Sequence, residues 1–281
     1  MSPRRPRGRS SFLRELREVV LPAAPRSEEG LFLDRLTPAA LERELEAAGI
    51  YDQLAARGYG GLAVEVTQAE REHRLRLLAA DTESPLIDLR MSEMTCVPKE
   101  PALRARGVDV LYLLAVHWLS LQDPRAEFSP GRPALPGQAH PGLGIGRRLL
   151  SRLLAWAHEW GKDALVNYPA HYHNAVFYSR LFRFLSPRRE GRMEALRRDL
   201  EGLSVTEASW AIERGGVVEE APTGTAGDRP GGKVLRWQAS EMAAPITRLL
   251  KTYMKSEEYE SAVAAARDAV RYRVLPPRTS R

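Results

Sequence analysis

The chain has 281 residues, 43% of them hydrophobic and 28% charged, which is the composition of an ordinary folded chain of one or two domains and excludes wholesale disorder or a collagen-like repeat. Its one cysteine, Cys96, can form neither an internal disulfide nor a zinc site that needs two thiolates. The net charge of +6 is concentrated in residues 1–26, where seven arginines face two glutamates, so the excess belongs to a flexible Arg/Pro/Ser tail and a nucleic-acid partner is not expected.

After the tail, residues 36–48 (LTPAALERELEAA) predict a helix with Thr37 as N-cap, Pro38 in its first turn and Leu41, Leu45 and Ala48 on one face. A short helix over 50–57 ends at Gly58. The period then changes to two: Leu62, Val64 and Val66 alternate, then His73, Leu75 and Leu77, and residues 86–97 form a third strand bounded by Pro85 and Pro98. This strand holds Cys96, whose expected role is a small buried apolar side chain. Residues 108–121 (VDVLYLLAVHWLSL) read as a central strand buried on both faces.

A Pro/Gly-rich loop, 123–142, leads into an amphipathic helix over 143–160, followed by a strand at 164–167, a helix over 173–181 and a strand at 182–185. The chain is then helical and charged to Arg214 and loose over 219–232. A strand over 233–238 and helices over 240–253 and 256–270 complete the pattern. The expected organisation is a basic tail (1–30), a ligand-binding domain (31–187) and a mostly helical extension (188–281). No apolar run reaches bilayer-crossing length, and the basic N-terminus lacks the apolar core of a signal peptide, so the expected location is cytoplasmic, with no membrane partner. Oligomeric state leaves no mark.

The chemistry concentrates at His140-Pro141-Gly142-Leu143-Gly144-Ile145-Gly146-Arg147-Arg148. Alternating glycines before a helix allow close backbone approach and leave first-turn amides free for phosphate oxygens, while an anion there would relieve Arg147 and Arg148 of their conflict with the helix dipole. A dinucleotide fold would need the glycines directly after a strand and an acidic residue on the next one; a P-loop would need Gly-Lys-Ser/Thr. Neither is present. The alternative reading is a tight turn with solvated arginines.

The run from His140 to Leu185 resembles the acetyl-CoA-binding core of the GCN5-related N-acetyltransferases (GNAT), and with the buried strand before it the resemblance covers about 80 of the 281 residues. Gly144-Ile145-Gly146 matches the family's R/Q-x-x-G-x-G/A turn, and Asn174, Ala175, Tyr178 and Phe184 resemble its second motif. Pro141 stands where the family has Arg or Gln, and Phe182-Arg183-Phe184 where it has Gly-Phe. The resemblance implies an α/β (α+β) fold with a mixed, mostly antiparallel sheet flanked by helices. It further implies an acyltransferase moving an acetyl group from acetyl-CoA, a co-substrate, to an amine of unread identity, with no metal.

In that reading the strand over 111–116 splays from the next one to admit pantetheine. The amides of Gly142, Leu143, Gly144, Ile145, Gly146, Arg147 and Arg148 hold the pyrophosphate, with Asn167 and Asn174, the only two asparagines, lining the cofactor site. Tyr178 is the acid, a phenol matched to a thiolate of similar basicity, the backbone N–H near Val116 polarises the thioester, and His117 or Glu93 is the base. Two alternatives stand beside it: a GNAT-shaped protein that binds CoA or a partner without turnover, and a metal-dependent hydrolase using His171 and His173 with His140.

Overall fold

The computed structural model describes residues 30–220 and 232–276. The basic tail and nearly all of the loose loop expected over 219–232 lie outside them.

Two helices open the described chain, α1 (Pro38–Ala47) and α2 (Ile50–Ala55). Thr37 caps α1 by accepting the Ala40 N–H, as its sequence position implies. Next come strands β1 (Ala63–Ala69), β2 (Glu72–Leu78) and β3 (Ile87–Cys96), helix α3 (Pro101–Ala105), and the central strand β4 (Leu111–Leu121). The middle of the chain continues as α4 (Gly146–Glu159), β5 (Ala164–Asn167), α5 (Tyr172–Tyr178) and β6 (Arg183–Phe184). The extension supplies α6 (Pro187–Asp199), α7 (Val205–Glu213), β7 (Val217–Glu220), β8 (Lys233–Val234), β9 (Met242–Pro245), α8 (Arg248–Tyr253), α9 (Glu257–Asp268) and β10 (Arg271–Val274).

The fold is mixed α/β. One sheet runs β1-β2-β3-β4-β5-β9-β6, antiparallel throughout except for the parallel pair β4–β5; a smaller sheet runs β10-β7-β8. Helices cover both faces of the large sheet. One core joins Leu41 of α1, Leu54 of α2 and Leu149, Leu153 and Trp156 of α4 to Leu89, Leu114 and Leu165; the other joins Leu103 of α3 and Tyr253, Tyr259 and Val263 of α8 and α9 to Leu113, Ala115 and Val166. Successive residues of β4 and β5 alternate between these cores, which is why both strands read as unbroken apolar runs. Each buried Leu or Trp contributes about 1.5–3 kcal/mol relative to exposure.

The extension departs from the expected pattern. Residues 240–253 do not form a single helix: Met242–Pro245 is a strand and only Arg248–Tyr253 is helical. The strand lies between β5 and β6, pairing with Ala164–Asn167 on one side and Arg183–Phe184 on the other, so the main sheet crosses the boundary anticipated at 187/188. Small, buried Ala243 and Ala244 fit this interior position, where partners on both sides override weak β propensity. Val217–Glu220 and Arg271–Val274 are further strands in a region expected to be helical or loose. Close packing also fixes Gly191 in α6: a Cβ there would come within 2.2 Å of the Val263 carbonyl oxygen of α9.

Candidate functional site

The parallel pair β4–β5 ends early. Leu113–Val116 pairs in register with Ala164–Asn167, so the strands do not splay across 111–116 as anticipated; they part beyond Val116 and Asn167, because β5 stops there while β4 continues to Leu121. A β-bulge marks the same point. On β3 the step from Arg90 to Met91 spans Trp118 to Val116 on β4, leaving His117 as the extra residue. The bulge shifts the parity of β4, so that Leu119 and Leu121 pack on the same core as Leu114 and Val116.

The bulge turns the His117 ring onto Ser92, whose Oγ lies 2.7 Å from Nε2, and the ring stacks on Tyr168 with centroids 6.1 Å apart. Glu93 does not join it. Being next to Ser92 on a strand, it faces the opposite side of the sheet. There its carboxylate is held by Arg35 at 2.8 Å and Lys162 at 2.6 Å. The two candidate bases thus stand on opposite faces of the sheet, with Glu93 ion-paired to Arg35 and Lys162 and His117 beside Ser92.

Beyond Leu121 the chain doubles back on itself. The Leu143 N–H donates to Leu121 O at 3.0 Å and the Asp123 N–H to Pro141 O at 2.8 Å, which fixes the start of the glycine turn against the end of β4. Leu143 is therefore removed from the set of anion-binding amides, and the Gly142 carbonyl is taken by Arg132. The first helical bond of α4 runs from Leu149 N to Ile145 O, and no side chain caps the helix. The N–H groups of Gly144, Ile145, Gly146, Arg147 and Arg148 accordingly have no acceptor among the described residues, and four of them belong to the unpaired set every helix start carries. Gly144 has φ of +74°, a conformation that side-chain-bearing residues avoid.

Sequence reading missed Arg57. It follows α2, its Nη2 lies 3.3 Å from where a Gly144 Cβ would sit, and its Nη1 donates to Asp123 at 3.1 Å. Asp123 is buried and is also bonded by the Tyr59 hydroxyl at 2.6 Å and the Arg125 N–H at 3.2 Å. These bonds hold its carboxyl below the usual range despite burial, and burial with the Asp123 bond pushes the Tyr59 phenol up to about 12. A cation thus stands beside the turn although Pro141 supplies none. Sixty-six positions separate Arg57 from Asp123, so no local pattern could have revealed the pair.

The two arginines of the turn divide. Arg148 reaches back to the Ala48 carbonyl at the end of α1, 3.2 Å away, and is a structural link. Arg147 is exposed, with no side-chain partner among the described residues, on an open groove of about 750 Å³ lined also by Gln53, Gly144, Ser151 and Arg152.

Asn167 ends β5, 4% exposed, with its Oδ1 buried and unpartnered. Asn174 instead accepts the His171 N–H at 3.2 Å as part of the cap of α5, which accounts for it structurally. Tyr178 ends α5 with its ring edge-on to Phe182, and burial raises its phenol. His171 and His173 stack with centroids 5.4 Å apart; His173 is buried, its Nδ1 has no partner, and burial lowers its pKa to about 4. His171 faces Glu213 at 3.3 Å, and no group of three His, Cys, Asp or Glu that could hold a metal ion occurs among the described residues. The extension's tryptophans pack around these loops: Trp210 donates to Ala134 O and Trp237 to Pro169 O. No helix among the described residues is long and apolar enough to cross a membrane. Cys96 is buried, its thiol raised to about 11, as a packing role requires. No family model and no curated protein matches the sequence.

Proposed function

We propose that this chain is an N-acyltransferase of GNAT type that moves an acetyl group from acetyl-CoA to an amine. The observation that carries the reading is the row of amides from Gly144 to Arg148 that have no acceptor among the described residues, at the start of α4 and held by the Leu143–Leu121 hydrogen bond against the end of the strand that outruns its parallel neighbour. Such a row, backed by the helix dipole, favours phosphate oxygens. Arg57 supplies the cation that the family's motif would place at position 141. The sheet order and the single parallel pair support the same reading.

The chemistry then assigns roles. The neutral amine attacks the thioester carbonyl, a C–N bond forms, and the C–S bond breaks to release CoA thiolate. Main-chain N–H groups near Val116, where β4 loses its neighbour, stabilise the oxyanion. Tyr178, a phenol whose ordinary pKa of about 10 keeps it protonated at neutral pH and which burial raises further, gives its proton to the thiolate. His117 takes the ammonium proton, and Ser92 orients its ring. Pro141 and the clamped Glu93 favour a second reading, a CoA-binding protein without turnover.

Calorimetric titration with acetyl-CoA tests both. Micromolar binding, weakened about tenfold by Arg57→Ala, is expected; absence of binding overturns both readings. Thiol release across amine classes separates enzyme from binder, and Tyr178→Phe should lower turnover by about 10²–10⁴ with binding intact.

A further inference from the structure

Independently of that reading, a second cavity lies in the extension, between α6 and the small sheet, with a volume of about 260 Å³. Its walls combine two chemistries. Phe184, Met193, Leu196, Trp237 and Tyr272 give an apolar, largely aromatic lining. Arg189, Arg192, Lys233 and Arg236 set four cations around it against one carboxylate, Glu219.

That carboxylate is spent. Arg192 places both terminal nitrogens on Glu219, one of them at 3.1 Å, and so neutralises it. The other three cations have no carboxylate partner among the described residues; Arg189 meets only the neutral amide of Gln238, at 3.3 Å. Tyr272 adds a second, independent sign. It is 5% exposed, lines the cavity, and its hydroxyl is buried with no hydrogen-bond partner. An orphaned hydroxyl in a cavity wall is costly unless something bonds it.

We propose that this cavity binds a small aromatic anion, a carboxylate or phosphate carried on one ring. The ring would pack among Trp237, Phe184 and Met193, and the acid would meet Arg189, Lys233 and Arg236. Arg guanidinium suits planar carboxylate and phosphate groups, and an aromatic wall suits a flat ring. The volume of about 260 Å³ admits a single ring with its acid. Trp237 also stands edge-on to Tyr172 at the start of α5.

Titration of the full chain with benzoate and phenyl phosphate tests this, with neutral benzamide and inorganic phosphate as controls. Both aromatic anions should bind one per chain, and benzamide and inorganic phosphate at least tenfold more weakly. The double variant Lys233→Ala/Arg236→Ala, at two exposed positions, should lose at least tenfold in affinity, while Gly144→Val should lose none, which separates this site from the glycine turn. Equal binding of benzoate and benzamide, equal binding of phenyl phosphate and inorganic phosphate, or an unaltered double variant overturns the proposal. So does the absence of any binding at millimolar probe.

Discussion

The two ends of the parallel pair β4–β5 are built on opposite terms. At the end where β4 begins, the Asp163 carboxylate accepts the Tyr112 N–H at 2.8 Å, its own N–H donates to Tyr112 O, and its carbonyl receives Ile246 N–H. Lys162 and Arg35 close on Glu93 nearby. At the other end a bulge interrupts the ladder, and among the described residues Asn167 and His173 keep buried polar atoms without partners and the five amides of residues 144–148 have no acceptor. Unmet hydrogen-bonding capacity costs stability, so its concentration at one end, against near-complete satisfaction at the other, marks where a ligand is expected.

The largest test of this contrast is Gly144→Val. A β-branched residue at φ of +74° strains the turn and crowds Arg57, so acetyl-CoA affinity should fall at least a hundredfold with the fold retained by circular dichroism. Undiminished affinity would detach the glycine turn from ligand binding. Asp163→Ala should do the converse. Losing the charge-assisted bond that the Asp163 carboxylate accepts from the Tyr112 N–H, which ties the start of β5 to β4, should cost about 2 kcal/mol in denaturant unfolding and leave affinity unchanged. A loss confined to binding would reverse the assignment of the two ends.

The smallest effect concerns pH. His173 is held neutral in the fold, with its pKa lowered to about 4 by burial and by His171. Unfolded, it titrates near the ordinary imidazole value, about 6.5. The unfolded chain therefore binds more protons between these values, so stability is full above pH 6.5 and falls as pH drops towards 4, by about 1–2 kcal/mol after allowance for screening. His173→Phe should flatten that part of the profile; an unchanged slope would mean the ring is not held neutral.

Much of this layout was legible. The two periods separated α1 and α2 from the β1–β3 meander, the β-branched run located β4, and the glycines located the start of α4 within a few residues. What escaped depends on partners distant in sequence. The four residues of β9, Met-Ala-Ala-Pro, have no strand signature of their own and are extended because a gap between β5 and β6 receives them. The bulge at His117 exists only relative to β3. Asp123 holds Arg57 beside the turn, and Glu93 is paired with Arg35 and Lys162, both distant from it in sequence. Long-range pairing decides which of the locally legible groups stay free.

The insertion of β9 has a further consequence, for the order in which the chain can fold. Leu165 pairs with Ala244, and β6 reaches the sheet only through β9, so both edges stay open until nearly all of the described chain has been synthesised. Until then β5 presents a bare row of backbone donors and acceptors, the kind of edge on which chains stick to one another. A fragment cut after β6 would inherit that edge permanently. The middle of the sequence, from β4 to β6, is on this view not a portable module but depends on residues that arrive about eighty positions later.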